Sequence, residues 1–140
     1  MFMKYFNFNE FFHSDLADSV GIVNYPSPEV EQLVRFHIIA LVDNVLDPIR
    51  ERWGVPVRIT SGFRCKALNE LVGGKDSSQH LAGYAADFTI DGLTPYDYKR
   101  LAFWCADHLE FDQLIVYPKR RFIHVSYVSP ESNRHEVLFT

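Results

Sequence analysis

Apolar residues recur at spacings of three and four from Val30 to Ile49, through Leu33, Val34, His37, Ile38, Leu41, Val42, Val45 and Leu46. Such a stripe predicts one long amphipathic helix. Ser27 is placed to cap it, Pro28 suits the first helical position, and Glu29 and Glu31 favour the positive end of the dipole. Pro48 is expected to kink or end it. His37 lies on the apolar side and reads as a core or helix-surface histidine. Upstream, a short amphipathic piece is expected around Glu10–Val20, followed by a loop, "GIVNYPSP".

The period then changes to two. "VPVRITS" (Val55–Ser61), "YAADFTI" (Tyr84–Ile90), "FDQLIVY" (Phe111–Tyr117) and "RRFIHVSYV" (Arg120–Val128) read as strands, with "HEVLF" (His135–Phe139) as a last one. Between them, Cys65–Gly74 reads as a short helix closed by Gly73. "KDSSQHLAG" reads as polar loop, and a further helix runs from Thr94-Pro95 to about Leu109. A turn is expected near Pro118. This order predicts an α+β fold: a small, mostly antiparallel sheet with flanking helices, in one domain spanning residues 1–140.

One residue does not suit this pattern. Asp87 stands inside "AADFTI", a run that should be buried, and an ionised carboxylate is costly to bury without compensation. Alternation puts Ala85, Asp87 and Thr89 on one face, and Ala86, Phe88 and Ile90 on the core face. In "RRFIHVSYV", Phe122, His124 and Ser126 share one face. If the two strands are neighbours, Asp87 and His124 converge, and a turn at Gly83 can fold His80 back over them. Two imidazoles and a carboxylate form a three-ligand set suited to one Zn²⁺ with an open position, the arrangement of catalytic zinc. A second reading is open on these residues alone. In it Asp87 pairs with Arg58 or Arg64, and His124 is a satisfied core histidine.

Composition narrows the function classes. At 140 residues, 47% hydrophobic and 15% aromatic, the chain can bury one sizeable core. A net charge of -4, with no basic cluster beyond Lys119-Arg120-Arg121, gives no indication of nucleic-acid binding. No apolar run approaches the roughly 18–20 residues needed to span a bilayer. The aromatic opening "MFMKYFNFNEFF" lacks an apolar signal-peptide core and a cleavage site, so a cytoplasmic location as synthesised is expected. Cys65 and Cys105 form no CxxC pattern and read as free thiols.

Three segments, in order, carry a family resemblance: Ser61-Gly62-Phe63-Arg64, then Ser78-Gln79-His80 with Gly83, Ala85 and Asp87, then His124-Val125-Ser126. Within residues 57–128 the chain resembles the zinc D-Ala-D-Ala carboxypeptidases of the hedgehog/DD-peptidase fold, especially small bacterial and phage members. The resemblance implies one zinc ion on His80, Asp87 and His124. It implies Arg64 as the cation that binds and polarises the substrate carbonyl or carboxylate, and Ser78 as a substrate hydrogen-bonding residue. It implies a peptidoglycan peptide as the substrate, and a phage or prophage origin fits relatives of this size.

The chain departs from the family where a general base is expected. Relatives carry an acid three residues before the last histidine, where this chain has Arg121, or at the end of the preceding strand, where it has Tyr117. An arginine does not accept a proton near neutral pH, and a tyrosine, with a reference pKa of about 10, is a poor base. Asp112 is the nearest acid. Tyr84 also replaces a common glutamate. Two functions are therefore expected to compete: a zinc metallopeptidase hydrolysing D-amino-acid-containing bonds, and a catalytically weak or inactive zinc-containing binding module of the same fold.

Overall fold

The structure, a computed structural model, describes residues 3–140. Met1 and Phe2 of the aromatic opening lie outside the described residues.

The sheet has five strands: β1 (Arg58–Ser61), β2 (Ala85–Thr89), β3 (Gln113–Tyr117), β4 (Phe122–Ser126) and β5 (Glu136–Phe139), in the order β1-β2-β4-β3-β5. The β1–β2, β2–β4 and β3–β4 pairings are antiparallel. β5 runs parallel to β3, which makes the sheet mixed while leaving it mostly antiparallel. β1 is shorter than its alternating pattern predicts. Pro56 has no N–H for a ladder, and the strand begins only after it.

Among the described residues, six α-helices accompany the sheet. α1 (Phe8–Phe12) and α2 (Asp15–Val20) replace the single amphipathic piece expected from the sequence. Each has its own cap: Asn7 forms a capping box with Glu10, and the Ser14 hydroxyl accepts from the Ala17 N–H. α3 (Glu31–Leu41) starts later than predicted: residues 28–30 form a turn in which the Val30 N–H bonds the Ser27 carbonyl (3.1 Å), and no side chain caps the helix. Val30, before the helix, and Leu33, within it, are exposed.

Pro48 does not end the long helix. A π-helical segment, Val42–Leu46, precedes it, and the Asp47 N–H bonds the Val42 carbonyl five residues back. The wider turn makes room for a ring that would otherwise meet the preceding carbonyls, and α4 (Asp47–Trp53) continues beyond. α5 (Lys66–Leu71) and α6 (Pro95–His108) complete the set. α6 is held at its start by a Thr94–Asp97 capping box.

Alternation along the strands separates the two faces. Ala86, Phe88, Leu114, Val116, Ile123 and Val125 point into a core filled by Ile38, Leu41, Leu46, Leu101 and Cys105 from the helices. Phe6, Phe11 and Phe12 join the same core, so the described part of the aromatic N-terminus packs against the fold. Both cysteines are free, and Cys105 is buried. No helix among the described residues is long and apolar enough to cross a membrane.

The N-terminal helices fix the loop after β1. The Phe63 N–H bonds the Phe11 carbonyl (2.7 Å). The Asn24 amide donates to the carbonyls of Phe12 (2.9 Å) and Phe63 (2.8 Å) and accepts from the Cys65 N–H (2.8 Å). Gly62 lies against Phe11 so closely that a Cβ there would be 2.5 Å from the Phe11 carbonyl oxygen. Gly62→Ala must therefore push backbone against backbone. It is expected to cost about 1–3 kcal/mol, as overpacking does, read as a lower urea midpoint. A wild-type midpoint would show that the contact is not close in solution.

Candidate metal centre

β2 and β4 are neighbours, and their register sets Asp87 directly opposite His124. The two side chains share the face that turns away from the core. The Asp87 Oδ1 lies 2.9 Å from His124 Nδ1 and 3.3 Å from His80 Nε2. The two imidazole centroids are 5.2 Å apart. One ligand atom from each of the three residues falls within 4.8 Å of the others.

His80 comes from a short 3-10 helix, Gln79–Ala82, that doubles back over the start of β2. The Ser78 hydroxyl caps it by accepting from the His80 N–H (3.2 Å), and Gly83 ends it at φ 79. Only glycine fits there with ease, since a Cβ would also meet the Val34 carbonyl oxygen at 2.9 Å. From α3, His37 bonds the Ala82 carbonyl through Nδ1 (2.7 Å) and stacks on Tyr84 at 4.0 Å. His37 is thus a satisfied helix-surface histidine, and Tyr84 supports the turn from behind.

The protonation of His80 is dictated by its partner. Its Nδ1 is 2.7 Å from the Gly62 carbonyl oxygen, which can only accept, so Nδ1 carries the proton. Neutral imidazole then presents Nε2 as a bare lone pair. That atom is buried and has no hydrogen-bond partner, and it faces a carboxylate oxygen. Two lone-pair atoms at 3.3 Å repel unless a proton or a metal ion lies between them. A histidine N–H donated to a backbone carbonyl is also the usual support for a metal-ligating imidazole. The donor set, two imidazole nitrogens and one carboxylate oxygen, suits Zn²⁺.

Asp87 is held ionised. Burial alone would raise its pKa, but the neighbouring imidazoles, first of all the His124 hydrogen bond, outweigh that and bring it below the usual carboxylate range. The ion-pair alternatives do not form. Arg58 bonds Asp91 (3.2 Å), and the Arg64 guanidinium bonds Asn69 Oδ1 (2.9 Å) and Ser61 Oγ (3.3 Å). Burial lowers the Arg64 pKa, with the Asp87 charge opposing it.

A cleft of about 640 Å³ opens over this face. Arg64, Ser78, Tyr117, His80, Asp87 and His124 all line it, so six of the seven residues singled out in the sequence are brought together. Asp112 is not among its lining residues. Its buried carboxylate accepts from the Arg134 backbone N–H, Nε and Nη2 and from Gln79 Nε2, at 2.8–3.0 Å. Arg121 forms the left-handed corner of the β3–β4 turn, at φ 59.

Sequence reasoning did not find Lys75, Gln113, Ile115 or Arg134, which also line the cleft, as does Phe122 from the His124 face of its strand. Strand phase could have found Gln113 and Ile115, which alternate with the core residues Leu114 and Val116. Nothing local marks Lys75 or Arg134. Among the described lining residues Asp87 is the only carboxylate.

A family model described as Peptidase M15 matches residues 4–126. No curated protein matches the chain.

The Asp112 carboxyl is pulled down to about 2, chiefly by its hydrogen bonds from Arg134, with burial opposing and Gln79 assisting. An unfolded aspartate titrates near 3.9, roughly. The ionised form therefore supports the fold fully above about pH 4, and that support is lost as pH falls toward about 2. Asp87 acts in the same direction. The urea midpoint should drop across this window, and Asp112→Asn should flatten the drop. An identical acid profile in the variant would show that the pair contributes nothing.

Proposed function

The chain belongs to the peptidase M15 family of zinc-dependent metallopeptidases, and we propose that it hydrolyses D-amino-acid-containing peptide bonds in peptidoglycan stem peptides, in the manner of a D-Ala-D-Ala carboxypeptidase. One observation carries the reading: a buried imidazole lone pair on His80, without a partner, aimed at the Asp87 carboxylate beside His124.

In this reading residues 3–140 act as one domain, and His80, Asp87 and His124 would hold one zinc ion. When bound, zinc supplies Lewis acidity toward a scissile carbonyl oxygen and lowers the pKa of a water to about 7. The protein's own groups do the rest. Arg64 keeps a fixed positive charge at the cleft wall, held by Asn69 and Ser61, and it stabilises the developing oxyanion or binds a substrate carboxylate. Ser78 accepts from the His80 N–H, which leaves its own O–H free to donate to a substrate carbonyl. Tyr117, on the same sheet face, donates to oxygen.

Asp112 does not act as the base in this reading, because Arg134 and Gln79 occupy both of its oxygens. The proton acceptor is then a substrate-side water, with Tyr117 orienting it. The single carboxylate among the described lining residues favours a second reading, a zinc-containing binding module with little or no turnover.

Metal analysis of purified protein should find one zinc per chain, and His80→Ala should lose it together with thermal stability. An unchanged zinc content in that variant would remove His80 from the ligand set. Zinc-loaded protein incubated with a D-Ala-D-Ala peptide should release free D-Ala, and Arg64→Ala should slow release about 10²–10³-fold. No release between about pH 6 and 9, beside an active relative, would select the binding module.

A further inference from the structure

Arg134 lies outside the stretch that the family model matches, yet it lines the cleft. Asp112 is where it attaches. Its side chain is 3% exposed, and Arg134 clasps it with Nε on Oδ1 (3.0 Å) and Nη2 on Oδ2 (2.8 Å). The Arg134 backbone N–H adds a third bond (3.0 Å). The Glu136 N–H bonds the Asp112 carbonyl (3.0 Å) and starts β5.

The same aspartate touches both histidine-bearing elements. Gln79 Nε2 donates to its Oδ2 at 2.8 Å, and Gln79 immediately precedes His80 in the 3-10 helix. The Asp112 N–H bonds the carbonyl of Ser126 (2.8 Å), and the next N–H, of Gln113, bonds the Ser126 hydroxyl (3.1 Å). Ser126 is two residues from His124 on β4. One buried residue thus bridges the loop that presents one imidazole to the strand that presents the other.

We propose that Arg134 is a positioning residue: by clamping Asp112 it fixes the spacing of His80 and His124, and so sets the affinity of the site for zinc. The inference rests on the three-residue metal centre proposed above. Charge alone predicts the opposite effect. Arg134 is a cation at the cleft wall, so deleting it should strengthen zinc binding if it acted only through its field. Loss of positioning should weaken binding, as loss of outer-shell support typically does, by about 10- to 100-fold.

Zinc affinity measured by competition with a chromophoric chelator separates these outcomes. Arg134→Ala should bind about 10- to 100-fold more weakly. Arg134→Lys, which keeps the charge and loses the fork, should also bind more weakly than wild type. In the metal-free proteins, the backbone amides of residues 80–84 should exchange hydrogen faster in both variants. Wild-type or tighter affinity in a folded Arg134→Ala overturns the proposal. If that variant does not fold, wild-type affinity and wild-type exchange in Arg134→Lys overturn it instead. A wild-type protein that takes up no zinc would sink the metal centre itself, whereas the metal-free exchange test reads the clamp alone.

Discussion

One carboxylate oxygen, Asp87 Oδ1, is approached by nitrogens from two imidazoles, and much of the chain serves to hold that arrangement. A buried carboxylate and a buried imidazole lone pair are each costly unless paired. Here their costs cancel only if a cation joins them. The β2–β4 register supplies Asp87 and His124 as a directly opposed pair. His80 needs more support, because it sits on a loop. Gly62 holds its Nδ1, Ser78 caps its backbone, His37 anchors the end of its turn, and Gln79 ties its helix to Asp112.

That support explains how distant segments are spent. The N-terminal helices contribute Phe11 and Asn24, which bond the loop carrying Gly62 and Arg64. The long helix contributes His37 and the close approach of Val34 to Gly83. The far end of the chain contributes Arg134. The core residues of the sheet make the opposite face rigid, so that alternate residues on the site face are presented at fixed spacing.

What the sequence made legible follows from period and chemistry. A period of two is enough to put Asp87 and His124 on the non-core faces, because a strand has only two faces. Spacings of three and four are likewise enough to predict the helical stripe, whose buried members include Val34, Ile38, Leu41, Val45 and Ile49. Details that depend on competition between local bonds were not legible. The Ser27 carbonyl closes a turn and its side chain does not cap α3, and a π-turn precedes Pro48. The parallel pairing of β5 and the attachment of Arg134 to Asp112 join residues more than 20 positions apart, for which no local period gives a signal. Asp112 itself looked like a candidate base by proximity in sequence, and only its partners show that its oxygens are taken.

The central claim is that two imidazole nitrogens and one carboxylate oxygen form a zinc site. X-ray absorption at the zinc edge of the loaded protein tests it most directly. The account predicts a shell of nitrogen and oxygen scatterers at about 2.0–2.2 Å, with the multiple-scattering signature of two imidazoles and no sulfur. A sulfur scatterer near 2.3 Å, roughly, or a shell without imidazole would contradict it.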